Sequence, residues 1–557
     1  MGADTSLPLP SVKPGFSTMC VSFQYTDRIT VLHLDDAGLS IIRQAINETW
    51  QSGIKLEQTV CVSGWSFKLN GNPFGCSFGE TTSSNVSQQA RQMVCQILQK
   101  LQGNGWKIIT STDLGRQEDK STMFFKKSSP EFSQYLCVGL SSSDKLQIVN
   151  LPPQLVEPMK QIIRLYWSLG IQDEDLPNPG VLEVKLRGNP WWSTDEQSIM
   201  AKVLLQNIIA TLRSYQWVYC CNVNLNGKAD SLIFCCDPNI NPGESAQFCT
   251  ISLNRHDRLR VITAPENIVA MVKKVIQTTW GCIQNERDYH GSWEFKLSGN
   301  PWYSSNKESA MARYLVLKIL EAMLEQGWHN IAGIDISRRP NDNNRPNDKT
   351  VFVFQKKEPK CCPMMCLSLN DVDKFRLINM PNEMIELFKK LLCSRWPKGI
   401  QNEQILTLSI GTAYEAKLSG QPWLGGNRND TVHARSFLCE IIEEFMERGW
   451  TLYLSADIAA KYDDYPFDVY SMWFVYDPAT SAQSSATTYG FNFATGPTQY
   501  GMPSLPYPST TAVPYPPPTA PEMPAEYGVQ PGPHPQPNEP PPSYTQATGW
   551  NTYGEKQ

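Results

Sequence analysis

The sequence predicts an α+β fold: four tandem copies of a domain of about 115 residues, each ordered ββαβαββ with a largely antiparallel sheet, then a disordered Pro/Tyr-rich tail. Three periodicities predict it. Tryptophan recurs at Trp50, Trp167, Trp280 and Trp396, which are 117, 113 and 116 residues apart. Asp27, Asp144, Asp257 and Asp373 keep the same intervals, each followed by Arg or Lys. A longer string returns at Phe67 to Phe74, Val184 to Trp191, Phe295 to Trp302 and Ala416 to Trp423. It reads Lys-Leu-x-Gly-Asn-Pro-aromatic, with Gln421 replacing Asn in the fourth copy. A period this long is too great for a solenoid unit and suits a small domain with its own core.

The elements follow in order. An apolar stretch such as Cys366 to Leu369 opens each copy. The Asp-Lys or Asp-Arg turn and a second short strand, Phe375 to Ile378 in the fourth copy, make a hairpin. A helix comes next, for example Glu383 to Trp396, then the strand ending in Lys-Leu and the Gly-Asn-Pro-Trp turn. A longer helix follows. Its stripe Leu315, Val316, Ile319, Leu320 and Met323, or Met93, Val94, Ile97, Leu98 and Leu101 in the first copy, marks one buried face. Gly327-Trp328 and Gly449-Trp450 end that helix where glycine accepts a left-handed cap. Two strands close the copy, such as Thr451 to Ile458 and Val469 to Tyr476. The expected boundaries are 1–17 for a flexible N-terminus, 18–128, 131–238, 244–357 and 361–478 for the repeats, and 479–557 for the tail.

Composition narrows the function. The chain has 557 residues, a net charge of −5 and a pI near 5.8, which disfavours broad contact with nucleic acid. No apolar run reaches the eighteen or so residues of a membrane span, and no signal peptide is expected. Most of the sixteen cysteines sit in apolar strings such as Tyr219-Cys220-Cys221 and Phe234-Cys235-Cys236, so reduced, buried thiols are expected. The sequons at Asn47, Asn85 and Asn429 would then be idle.

The recurring residues divide between architecture and binding. Trp106, Trp217, Trp328 and Trp450 close the long helix and read as core. Lys68, Lys185, Lys296 and Lys417 read as solvated strand-edge lysines, with a shallow anion site as the alternative. Asp113, Asn224, Asp335 and Asp457 suit bonds to their own turns, with a ligand role as the alternative. The turn aromatics Phe74, Trp191, Trp302 and Trp423 are the best candidates in the body for a binding anchor, against packing of the turn onto the sheet. The six histidines do not fall at equivalent positions, and no nucleotide, zinc or nucleophile motif is present. Cys361-Cys362-x-x-x-Cys366 lacks a second half of tetrahedral ligands and reads as structural, with palmitoylation as the alternative. No enzyme activity, cofactor or metal is expected.

The two ends carry recognition strings. Residues 500–544 hold sixteen prolines without apolar periodicity, so the segment is expected to be disordered with polyproline II bias. Within the tail, Pro518-Thr519-Ala520-Pro521 resembles the P-[ST]-A-P ligand of the UEV domain of ESCRT-I. Pro541-Pro542-Ser543-Tyr544 resembles the P-P-x-Y ligand of WW domains, including those of HECT ubiquitin ligases. The pair resembles the late domains of retroviral Gag proteins and of cellular adaptors that route cargo into vesicles. Met1-Gly2-Ala3-Asp4-Thr5-Ser6 fits the N-myristoylation pattern at Gly2. These resemblances imply a cytoplasmic adaptor, peripheral on membranes or endosomes, with WW-domain ligases, ESCRT-I and an unidentified cargo as partners. The alternative is a multivalent protein-binding scaffold whose WW-ligand tail has no connection to ESCRT.

Overall fold

The computed structural model describes residues 15–75, 84–115, 119–193, 195–225, 230–336, 350–424, 428–458 and 468–478. The body is four tandem copies of one α+β unit. Repeat 1 runs β1 (Thr18–Gln24), β2 (Arg28–Leu32), α1 (Asp36–Thr49), β3 (Ile54–Cys61), β4 (Gly64–Leu69), α2 (Ser84–Gly103), β5 (Trp106–Asp113) and β6 (Asp119–Lys127). Repeat 2 has β7 (Tyr135–Ser141), β8 (Lys145–Val149), α3 (Val156–Tyr166), β9 (Ile171–Asp175), β10 (Val181–Leu186), α4 (Asp195–Ser214), β11 (Trp217–Val223) and β12 (Ser231–Cys236). Repeat 3 has β13 (Phe248–Asn254), β14 (Arg258–Ile262), α5 (Glu266–Thr279), β15 (Ile283–Tyr289), β16 (Ser292–Leu297), α6 (Asn306–Glu325), β17 (Trp328–Ile334) and β18 (Val351–Lys356). Repeat 4 has β19 (Met364–Asn370), β20 (Lys374–Ile378), α7 (Asn382–Arg395), β21 (Ile400–Thr407), β22 (Thr412–Leu418), α8 (Arg428–Glu447), β23 (Trp450–Ala456) and β24 (Asp468–Tyr476).

Each repeat forms one six-stranded antiparallel sheet, ordered β3-β4-β2-β1-β6-β5 in the first and equivalently in the others. The order is therefore ββαββαββ: a strand follows the first helix that the expected ββαβαββ lacks. Its residues explain the omission. β9 is Ile-Gln-Asp-Glu-Asp, with four exposed positions, and β15 alternates little apolar against polar. These strands lie at the outer edge of each sheet, where charged side chains discourage pairing with another chain. A polar edge strand has no inner face to write into its sequence.

The long helices stop where expected. Gly327 and Gly449 adopt φ of 73° and 82°, and their amides reach back to the carbonyls of Leu324 (2.9 Å) and Met446 (3.0 Å). In repeat 2, Gln216 holds the same conformation at φ 69° without glycine's freedom.

The repeats do not keep four separate cores. In β1, Met19, Val21 and Phe23 pack with α1 and α2 of their own repeat. Cys20, on the opposite face with Leu32 and Phe124, packs with Leu438, Cys439 and Ile442 of α8 in repeat 4. The same arrangement recurs around the molecule. α2 lies on β7, α4 on β13, α6 on β19 and α8 on β1, while the inner edge strands β5, β11, β17 and β23 meet one another in turn. The four repeats close into a ring, and every sheet is sandwiched between its own helices and the long helix of the repeat before it. This is why the opening strands are buried continuously rather than on alternate residues.

Candidate functional site

Four buried cations recur in the long helices, and three of them fasten the ring. Arg91, Lys202, Arg313 and Arg435 each occupy the eighth position of their 20-residue helix and are at most 3% exposed. Arg91 crosses from repeat 1 into repeat 2. Its Nε donates to Ser231 Oγ (3.2 Å), Nη1 to Gln147 Oε1 (2.6 Å) and Nη2 to Ser141 Oγ (3.0 Å). Arg313 crosses from repeat 3 into repeat 4, donating through Nε to Ser368 Oγ (2.8 Å) and Ser471 Oγ (3.1 Å). Arg435 closes the ring by donating to Thr122 Oγ1 of repeat 1 (3.1 Å). Lys202 differs, since its Nζ bonds Ser198 Oγ of its own helix (2.7 Å), and the strand it faces carries Val351 where the others have Ser or Thr. The seams differ in how closely the cation approaches the opening strand. Three opening strands carry serine at one position (Ser22, Ser252, Ser368), whereas repeat 2 carries Gly139, because a Cβ there would lie 2.1 Å from Arg91 Nε. Sequence reasoning missed these cations. Their signal is a basic residue inside a buried helical stripe, returning 111, 111 and 122 residues apart.

The inner edges carry a second cyclic arrangement. Asp113, Asn224, Asp335 and Asp457 follow or end the inner strands, and neighbouring repeats join there. Ser121 Oγ accepts from the Asn224 amide (2.8 Å). Asp230 Oδ2 accepts from the Asp335 amide (2.7 Å), and the Asp230 amide donates to the Asp335 carbonyl (3.0 Å). Thr350 Oγ1 donates to the Asp457 carbonyl. Asp113 also makes the expected bond to its own turn, accepting from the Gly115 amide at 3.4 Å. At the other three positions backbone amides and carbonyls join neighbouring repeats. Tyr470, 8% exposed, sits where one carboxylate from each repeat approaches. Burial, with Asp230, Asp113, Asp335 and Asp457 adding to it, pushes its phenol well above the ordinary range. Among the described residues no three His, Cys, Asp or Glu converge as metal ligands.

The turn aromatics are core, and the reading of them as binding anchors is corrected. Phe74, Trp191, Trp302 and Trp423 are 0–1% exposed. The indole N–H groups of the three tryptophans donate to the carbonyls of Lys145 (2.9 Å), Arg258 (2.8 Å) and Lys374 (3.3 Å). A buried indole needs such a partner, and the turn supplies one by folding back over its own hairpin. The exposed aromatics are their neighbours Trp192 and Tyr303, at 43% and 44%. The four repeated lysines each face the repeated aspartate across that hairpin, at 3.6 Å (Lys68–Asp27), 3.9 Å (Lys185–Asp144), 3.9 Å (Lys296–Asp257) and 3.8 Å (Lys417–Asp373). Trp106, Trp217, Trp328 and Trp450 are buried at 6% or less.

The described cysteines are unbridged. Cys361 is exposed, Cys362 half-buried and Cys366 buried. Gly2, Pro518, Thr519, Ala520, Pro521, Pro541, Pro542 and Tyr544 lie outside the described residues. Among the described residues no helix is long and apolar enough to cross a membrane.

One domain family matches the chain four times, over residues 17–126, 134–235, 247–355 and 363–475. No curated protein matches the chain. Among solved structures, a conserved kinetoplastid-specific protein from Trypanosoma cruzi is 18% identical; the match covers 20% of this chain and 98% of that chain, with a TM-score of 0.16.

Proposed function

We propose that this chain, which belongs to the family that the four-times-matched domain defines, is a non-enzymatic adaptor whose tail recruits WW-domain ubiquitin ligases and ESCRT-I. The observation that carries the reading is the pair of strings Pro518-Thr519-Ala520-Pro521 and Pro541-Pro542-Ser543-Tyr544 in one proline-rich segment. Tyr544 inserts between WW aromatics while Pro541 and Pro542 pack beside it, and a polyproline II ligand loses little entropy on capture. Pro518 to Pro521 occupy a UEV groove in the same manner.

Two features of the body support this reading. The repeated polar groups are engaged by the fold: Arg with Ser or Thr across seams, Lys with Asp and indole with carbonyl inside each repeat. They serve as architecture in the ring, a platform suited to an adaptor. The two ends of the body also lie on one helix. Gly15 and Phe16 line a cleft with Glu440, Glu443 and Glu444 of α8. The Asp477 amide bonds the carbonyl of Gly449, just beyond the same helix (2.7 Å). One myristoyl chain holds a membrane only marginally, so the repeats supply a second contact, to membrane or cargo.

Trp192 and Tyr303, exposed at equivalent positions of adjacent repeats, favour a second reading, a protein-binding scaffold whose tail serves WW proteins outside ESCRT. A three-way comparison separates the two. Tyr544→Ala should abolish capture by a ligase WW array. Pro518→Ala with Pro521→Ala should abolish UEV binding and reduce release in vesicles while leaving membrane association intact. Gly2→Ala should move part of the protein from membranes to cytosol. WW capture lost with UEV binding absent in the parent chain selects the scaffold. Unchanged binding in every arm overturns both.

A further inference from the structure

Repeat 2 departs from the other three at a pair of positions on its inner hairpin. Each inner strand carries a bulge, and the extra residue is Ile109, Cys220, Ile331 or Tyr453. That side chain meets the preceding repeat: Ile109 packs with the repeat 4 core, Ile331 with that of repeat 2, and Tyr453 Oη accepts from the Asn330 amide of repeat 3 (2.6 Å). On the partner strand, the residue opposite the second position of the inner strand is Lys126, Cys235, Gln355 or Val475. Only repeat 2 carries cysteine at both places. The bulge sets Cys220 beside Cys235, whose partner in the register is Val218, and the Cys220 thiol donates to the Val218 carbonyl (3.5 Å). Both are half-buried, at the margin of the core that joins repeats 1 and 2.

The pair is polarised. Cys235 is held below the ordinary thiol range, first by the adjacent Cys220 thiol and then, against burial and Asp237, by Lys107 of the neighbouring repeat. Cys220 is pushed up. A contrasting pair stands at the seam between repeats 4 and 1, where Cys20 and Cys439 share one core but are both 0% exposed. Thiol–disulfide exchange needs thiolate character and access together; of these two pairs, the one in repeat 2 combines a lowered thiol with partial exposure.

We propose that Cys220 and Cys235 form a dithiol–disulfide couple that exchanges with a low-molecular-weight disulfide such as oxidised glutathione. The Cys235 thiolate attacks one sulfur of glutathione disulfide, forming a mixed disulfide and expelling a glutathione thiolate. The Cys220 thiol then gives up its proton and attacks the Cys235 sulfur, closing the protein disulfide and expelling the second glutathione thiolate. The two protons from the protein thiols end on the two glutathione molecules. The protein is oxidised by two electrons, and glutathione disulfide is reduced by the same two. Because the bulge side chain is the one that meets the preceding repeat, oxidation alters the seam between repeats 1 and 2 alone.

The test equilibrates the full chain with glutathione buffers of rising oxidised fraction, alkylates it and maps peptides by mass. A Cys220–Cys235 crosslink should appear as the oxidised fraction rises and reverse as it falls, with Cys20 and Cys439 staying reduced. Cys220→Ser should stop the reaction at a mixed glutathione disulfide on Cys235, several-fold more populated than on the exposed Cys282. Far-UV dichroism checks that the variant folds, and the parent map needs no variant. Absence of the crosslink, or preferential modification of Cys282 over Cys235 in Cys220→Ser, overturns the proposal.

Discussion

Acidification should weaken the seam between repeats 4 and 1 through His33. This residue follows β2 at φ 64°, where the other repeats hold Asn150 (60°), Thr263 (54°) and Asn379 (55°). It is 4% exposed, pairs its Nε2 with Ser436 Oγ of α8 at 2.7 Å, and stacks against Phe16 at 3.7 Å. Burial, aided by the positive charge of Arg395 and opposed by the Thr18 carbonyl, lowers its pKa from 6.5 to about 4. The folded ring therefore keeps His33 neutral where the unfolded chain takes up a proton. Its contribution is complete above pH 6.5 and is lost as pH falls from 6.5 to about 4, at roughly 1.4 kcal/mol per pH unit. The full loss is about 3 kcal/mol. His33→Asn is the matched control, because asparagine accepts this backbone conformation and already bonds the opening strand in two repeats: Asn150 to the Tyr135 carbonyl (3.1 Å) and Asn379 to the Met364 carbonyl (2.8 Å). Urea unfolding at half-unit pH steps should show the parent losing about 3 kcal/mol relative to the variant between pH 6.5 and about 4, whatever other groups titrate. Parallel curves across that window would refute the burial argument.

Three more outcomes follow from the seams and the core. Gly139→Ser should displace the Arg91 guanidinium from its three bonds and cost about 1–3 kcal/mol in denaturant unfolding; adding Arg91→Lys, the residue that repeat 2 carries there as Lys202, should recover part of it. Trp302→Ala should cost about 3–5 kcal/mol, whereas exposed Tyr303→Ala should stay within about 0.5 kcal/mol by the same measurement. A fragment of residues 244–357, one repeat with both neighbours removed, should show no cooperative thermal unfolding as a monomer, since its sheet and long helix each lose the surface that covers them.

The repeats, hairpins, long helices and closing strands were legible because each writes an apolar period into the chain. Leu315, Val316, Ile319, Leu320 and Met323 form the face they spelled out. The outer edge strands were not, since Gln172 to Asp175 face solvent and carry no inner pattern. Ring closure was written faintly. Met19-Cys20-Val21 is apolar on both faces, a sign that a second layer covers the sheet, yet nothing local says which helix supplies it. The turn tryptophans show a further limit: a loop position and a large aromatic suggested an anchor, and only the fold-back that gives Trp302 Nε1 the Arg258 carbonyl reveals a core residue. The seam cations were hidden because a lone Arg in an apolar stripe has meaning only beside its partners on the next repeat.

The contact between α8 and β1 joins residues made far apart in time. Thr18 Oγ1 bonds the Cys439 carbonyl across 421 residues of chain. At about 5–20 residues per second, a ribosome needs roughly 20–85 s to make the intervening segment. Throughout that interval the outer face of the first sheet, with Cys20, Leu32 and Phe124, has no covering helix. The last helix of any other copy fits the same face, so the ring must close on itself before it meets a neighbour. Crowded synthesis thus favours chains linked through exchanged fourth repeats, and dilution favours the single closed ring.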